Sequence, residues 1–141
     1  MRYLLDTCAF IDALMDPEML GPDVQALLQD YDNEFCISQE TLREVILKYK
    51  HRHLWTETWT AAEEIVDAIY DASIFTVLPI RREHLKTYAT LIPNEAEGHK
   101  DPSDHLIIAH AITNRLPLIS RDRKFHYYCN QGLNLIYYGR K

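Results

Sequence analysis

Along the whole chain, short apolar runs of strand length alternate with stretches of helical periodicity, and that alternation leaves few folds open. The runs Arg2 to Leu5, Glu34 to Ser38, Phe75 to Leu78, Leu116 to Ile119 and Leu133 to Tyr138 are strand candidates. Between them, apolar residues recur every three or four positions, the spacing of one buried helix face. The stripes are Val24, Leu27, Leu28 and Tyr31; Leu42, Val45, Ile46 and Tyr49; Trp55, Trp59, Ala62, Val66 and Ile69; and Leu85, Tyr88, Ala89 and Ile92. A last helix opens at Asp101-Pro102, where Asp101 suits the N-cap and Pro102 the first turn. It runs on through Leu106, Ile107, Ile108, Ala109 and Ile112, apolar almost all round, and is expected to be central. Strands joined through helices imply crossover units. The expected fold class is therefore α/β, with a mostly parallel sheet of about five strands flanked by helices on both faces.

The 141 residues show no internal repeat and no low-complexity linker, so residues 1–141 are read as one domain. An apolar fraction of 47% with 26% charged residues excludes a disordered or fibrous chain. No apolar run approaches the roughly 20 residues of a membrane span. Asp6 and Asp12 interrupt any signal-peptide core, and a cytoplasmic protein is expected. Cys8, Cys36 and Cys129 form no C-x-x-C pair and are read as buried, reduced thiols. The net charge of −6 disfavours a protein that merely coats nucleic acid. Four acids converging on divalent cations would leave 15 basic residues against 17 acidic ones, compatible with a phosphate-bearing substrate.

In parallel sheets, ligands bind outside the carboxyl ends of the strands. Asp6 directly follows Tyr3-Leu4-Leu5, and Asp122 follows Leu118-Ile119-Ser120 by two residues. Either position also suits a helix N-cap or a turn acid. Glu44 points away from the Leu42, Val45, Ile46 and Tyr49 stripe, as a solvated glutamate would, and Glu40, one turn earlier, competes with it. Asp101 has a local capping role; Asp104, within the first helical turn, is free to face a crevice.

Taken together, Leu4-Leu5-Asp6-Thr7-Cys8, the Glu44 helix after Ile37-Ser38, the block Asp101-Pro102-Ser103-Asp104-His105 to Ala111, and Leu118-Ile119-Ser120-Arg121-Asp122 resemble the PIN-domain nucleases in order and spacing. The resemblance covers Arg2 to about Phe125. Within that family the chain is most similar to VapC-type toxins of bacterial toxin–antitoxin modules. Ser103 and His105 depart from the usual Phe and Arg of the helix block.

The resemblance implies a Mg²⁺- or Mn²⁺-dependent endoribonuclease with Asp6, Glu44, Asp104 and Asp122 as catalytic and metal-holding acids. Asp6 and Asp104 would touch metal directly, with Glu44 and Asp122 holding a second ion or its waters. Acceptor-only oxygens suit such hard cations. Thr7, Ser120 and Arg121, beside the acids, are candidates for orienting water, a carboxylate or substrate. Arg121, Arg123, Lys124, Arg140 and Lys141, with Tyr127, Tyr128, Tyr137 and Tyr138, are candidates for holding RNA phosphates and stacking bases, in tRNA or another structured RNA. A cognate antitoxin and a homodimer are also implied, the antitoxin with a basic side chain near the acids. Apolar surface at Trp55 and Trp59 is one place for that partner, although core packing explains those rings as well.

Other readings are weaker. Leu4-Leu5-Asp6-Thr7 also resembles the nucleophile strand of haloacid-dehalogenase phosphatases, but Cys8 stands where a second Asp belongs. A receiver-like module lacks its paired acid and its lysine, and an inert PIN scaffold has no reason to retain four acids. The His51-Arg52-His53 and His105/His110 sets lack zinc-site spacing, so surface or capping roles are expected for the histidines.

Overall fold

A computed structural model describes residues 1–52, 55 and 57–139. His53, Arg140 and Lys141, singled out above, lie outside the described residues, as does the side chain of Arg52. The elements follow in the order β1 Arg2–Leu5, α1 Thr7–Met15, a 3-10 turn Pro17–Leu20, α2 Gly21–Gln29, β2 Glu34–Ser38, α3 Gln39–Arg52, α4 Ala62–Asp71, β3 Phe75–Leu78, α5 Arg82–Thr90, α6 Pro102–Asn114, β4 Leu118–Ser120, a 3-10 segment Arg123–Gln131 and β5 Leu135–Tyr137. The five strands form one parallel sheet in the order β3-β2-β1-β4-β5. Growth reverses direction between β1 and β4, the switch point at which such sheets open a crevice for ligands.

Period-two alternation sends each strand's side chains to two different cores. Tyr3, Leu5, Phe35, Ile37 and Ile119 pack with Phe10, Val24, Leu42, Val45, Ile65 and Ile69 on one face, under α1 to α4. Leu4, Cys36 and Leu118 face the other way and meet Ile107, Ile108 and Ala111 of α6 with Phe125 and Tyr128. Helix α6 is central, as its composition requires, and α5 packs on its outer side. No helix among the described residues is long and apolar enough to cross a membrane.

Four helical readings need correction. Helix α1 was not anticipated: it buries Thr7 and Asp12 while exposing Leu14 and Met15, so its sequence carries no simple apolar stripe. The stripe from Trp55 to Ile69 is not one helix. Trp55 has φ of 63°, and α4 begins only at Ala62. On α5 the expected inner face is outward: Leu85 and Tyr88 are exposed, Ile92 lies beyond the helix and is exposed too, and the buried residue is His84. Its Nδ1 accepts the Arg81 amide proton at 2.8 Å and its Nε2 meets Asn114 Oδ1 of α6 at 2.8 Å, so hydrogen bonding rather than apolar area sets the helix's roll. Tyr31, expected on α2, lies beyond it and is fully exposed.

Candidate active site

The pairing of β1 with β4 continues one residue past the strand: the Asp6 amide donates to the Ile119 carbonyl at 3.1 Å. This sets Asp6 beside Ser120, whose hydroxyl donates to Asp6 Oδ2 at 2.6 Å. Asp6 Oδ1 accepts from the Ala9 amide at 2.8 Å and so caps α1. The same Ser120 Oγ accepts from the Asp122 amide at 3.1 Å, and Asp122 caps the 3-10 segment through the Lys124 amide at 2.9 Å. One serine therefore ties the acids after β1 and β4 together.

Asp101 caps α6 through the amides of Ser103 and Asp104, which leaves Asp104 in the first turn free to face the crevice. Glu44 reaches the site from α3, where Thr7 Oγ1 donates to its Oε1 at 2.5 Å. Glu40, the competing acid, is engaged elsewhere: Arg43 and Ser103 both donate to it, and the trio pins α3 to the start of α6. Burial pushes the Glu40 carboxyl up, yet those bonds and the Arg43 charge more than offset it and hold it below its ordinary value. Ser103, where the resembled family has Phe, thus serves the frame of the site.

The electrostatics mark convergence. Asp6 is 3% exposed, and burial, helped by the charges of Asp104 and Asp122, raises its carboxyl to about 7 against the hydrogen bonds from Ser120 and Ala9. Burial likewise raises Glu44, with the Thr7 bond opposing and Asp101, Asp104 and Glu40 adding repulsion. Asp104 is raised by burial and by Asp101 and Asp122, against a hydrogen bond from His99. Asp104 is the hub, coupled to Asp6 and to Glu44. Asp6, Asp104 and Asp122 all sit at helical N-termini, whose amides offset part of the repulsion. Ligand atoms of His99, Asp104 and Asp122 lie within 4.8 Å of one another. Carboxylate oxygens that repel each other across a buried crevice fit a hard divalent cation.

Over residues 3–130 the sequence matches the PIN domain. The chain belongs to the PIN-domain family. Its fold recurs in solved structures across nearly full length. A chain of the VapBC2 complex of Rickettsia felis, bound to a DNA fragment from its promoter, matches with a TM-score of 0.72 at 21% identity, covering 97% of this chain and 98% of that one. A toxin–antitoxin complex from Klebsiella pneumoniae gives 0.63 at 23% identity, covering 99% of each chain. FitAcB from Neisseria gonorrhoeae gives 0.65 at 20% identity, covering 98% of each. No curated protein matches significantly.

Other residues of this PIN domain sit differently from expectation. Arg121 pairs with Asp12 at 3.3 Å, and Tyr138 donates to the same carboxylate oxygen at 2.7 Å. A cavity of about 610 Å³ lined by Glu18, Arg121, Arg123, Tyr137 and Tyr138 has Asp122 in its wall. Tyr128 is fully buried and has no face for a base, whereas Tyr127 is exposed. Trp55 and Trp59 are partly buried against the core, edge to face at 5.9 Å, and line an apolar groove of about 270 Å³ with Phe10 and Leu14. Of the cysteines only Cys36 is buried; Cys8 and Cys129 are exposed because both fall on outward faces of helical segments. His84, His99, His105 and His110 are buried rather than superficial, each hydrogen-bonded inside the protein. His99 was missed as a site residue. Its only signal is its place five residues before Asp104, and nothing in the local pattern shows that the chain turns back there.

Proposed function

We propose that this PIN domain, spanning residues 1–141, is a divalent-metal-dependent endoribonuclease acting in the cytoplasm as the toxin of a toxin–antitoxin pair. The carrying observation is the convergence of Asp6, Glu44, Asp104 and Asp122 at the switch point between β1 and β4. Asp6 and Asp104 would hold Mg²⁺ or Mn²⁺, with Asp122 and Glu44 at its flanks. When bound, the ion supplies positive charge at the phosphodiester and makes water acidic enough to act as the nucleophile. The chain's residues do the rest. Ser120 and Thr7 fix the carboxylates of Asp6 and Glu44. Arg121 and Arg123, exposed at the rim of the neighbouring cavity, offer positive charge to the RNA strand leaving the acids, and Tyr137 an aromatic ring.

The antitoxin is proposed because structures of matching fold include toxin–antitoxin complexes. A homodimer is proposed with it. The test is cleavage of a mixed tRNA and structured-RNA pool by partner-free protein and by Asp6→Asn, with Mg²⁺, Mn²⁺ or EDTA. Cutting that vanishes with either the substitution or the chelator supports the proposal; cutting that survives both sinks it. Antitoxin binding and dimerisation are read separately, by co-purification with the product of an adjacent gene and by solution mass.

A further inference from the structure

Resting on the metal-dependent reading above, we infer that Asn94, Tyr128 and His99 form a one-way relay of hydrogen bonds that fixes the orientation of Asp104, with His99 a positioning residue and not a ligand of the ion. The direction follows from the donors. A backbone amide can only donate, and the Asn94 amide donates to Tyr128 Oη at 3.0 Å. That amide offers no acceptor, and among the described residues the other partner of the buried Tyr128 hydroxyl is His99 Nδ1 at 2.8 Å, so the hydroxyl proton goes there rather than being left unpaired. Nδ1 being an acceptor, the ring proton resides on Nε2, which donates to Asp104 Oδ2 at 2.9 Å. The nitrogen nearest the acids therefore lacks a free lone pair, although it lies within the same 4.8 Å cluster as Asp104 and Asp122. One oxygen of Asp104 is committed to the relay and the other is left to the crevice.

The relay is rigid at both ends. Asn94 is 1% exposed, and its side-chain amide donates to Glu97 Oε1 at 2.9 Å and to the Lys124 carbonyl at 3.3 Å. Lys124 belongs to the 3-10 segment that Asp122 caps, so loop 93–99 is registered against the element carrying another acid. His105 Nε2 meets the His99 carbonyl at 3.0 Å, and the rings of His105, Phe125 and Tyr128 lie within 5.5 Å of the His99 ring. A histidine that donates to a carboxylate from such a frame fixes where the carboxylate points, the arrangement by which partners beyond the ligands tune metal sites.

The experiment uses the full chain without RNA. Long-range ¹H–¹⁵N spectra of the His99 ring, with and without saturating Mg²⁺, read which nitrogen carries the proton; calorimetry reads Mg²⁺ affinity of wild type, His99→Ala, His99→Gln and Tyr128→Phe. The expected result is an Nε2–H ring in both states. A Kd for Mg²⁺ about tenfold or more weaker is expected in His99→Ala and Tyr128→Phe, with recovery in His99→Gln, which keeps an N–H donor. In cleavage assays the loss should fall on kcat with KM for RNA unchanged. A proton displaced from Nε2 by Mg²⁺ would make His99 a ligand and overturn the relay, as would unchanged Kd in folded Tyr128→Phe. Wild type that takes up no Mg²⁺ defeats the metal reading itself, an outcome distinct from variants that bind as wild type does.

Discussion

Helix α6 carries two buried polar clusters less than two turns apart, and they are built alike but charged differently. At Asp104 the helix joins a pocket of acids that repel one another. At His110 it joins a histidine set: His110 Nδ1 meets Ser38 Oγ at 2.9 Å, and the His84 ring lies tilted 4.0 Å away, itself held by Arg81 and Asn114. In both, a backbone amide orders a histidine, through Tyr128 at His99 and directly from Arg81 at His84. The histidine set spends its hydrogen bonds on holding α5, α6 and β2 together, whereas the acid pocket spends them on keeping like charges in place. The first stabilises the fold; the second costs stability until positive charge arrives.

The comparison is sharpened most by removing one acid. Asp6→Asn keeps a capping side chain, so cleavage should fall about a thousandfold while the metal-free melting temperature stays level or rises. A drop of several degrees in EDTA would show that repulsion between the acids is outweighed at Asp6 by the bonds its carboxylate accepts. His110→Ala should behave oppositely. It leaves a cavity and strips Ser38 of its hydrogen-bond partner in α6, costing about 3 kcal/mol in urea unfolding, with the gain in stability on adding Mg²⁺ intact. A loss of that gain would mean the clusters are not separable.

Smaller effects follow from pH. Burial, aided by the His84 ring, lowers His110 to about 4. Between there and its ordinary value of about 6.5, the unfolded chain binds the proton that the folded chain refuses, so this stability is complete above 6.5 and is lost as pH falls toward 4. Asp6 runs the other way in metal-free protein: raised to about 7, it holds a proton the unfolded chain releases, and stability is lost as pH rises from about 4 to 7. Wild type in EDTA should therefore show a shallow pH dependence between 4.5 and 7, and Asp6→Asn a steeper rise with pH. Equal slopes in the two proteins would contradict the assignment. Smallest of all, Ser120→Ala should cost about 1 kcal/mol and roughly tenfold in cleavage, since it frees both acids it tethers.

How much of this was legible depends on whether a residue's surroundings were local. The strands were readable because Tyr3, Leu4 and Leu5 are apolar on both faces of a covered sheet, and Asp101-Pro102 reads as a helix start from its own chemistry. Asp6 and Asp122 were placed by their positions after strands. Helix α1 escaped because its buried Asp12 is explained only by Arg121 and Tyr138, more than 100 residues away in sequence. The roll of α5 escaped because a histidine took the inner face that the spacing of Leu85 and Tyr88 claims for apolar residues. His99 escaped for the same reason: its partners Tyr128 and Asp104 come from a distant segment and a different element.

The strand order has a consequence for the chain as it is being made. Asp6 is made long before its partner Ser120 and its neighbour Asp122, which belong to β4 and the turn after it and dock against β1 across most of the domain's sequence. At about 5–20 residues per second, synthesis carries the first acid for several seconds with no pocket to join. A copy halted after β3 has three strands' worth of sheet but lacks Asp104 and Asp122, so a domain proposed to cut RNA stays harmless until β4 and the turn after it have been made.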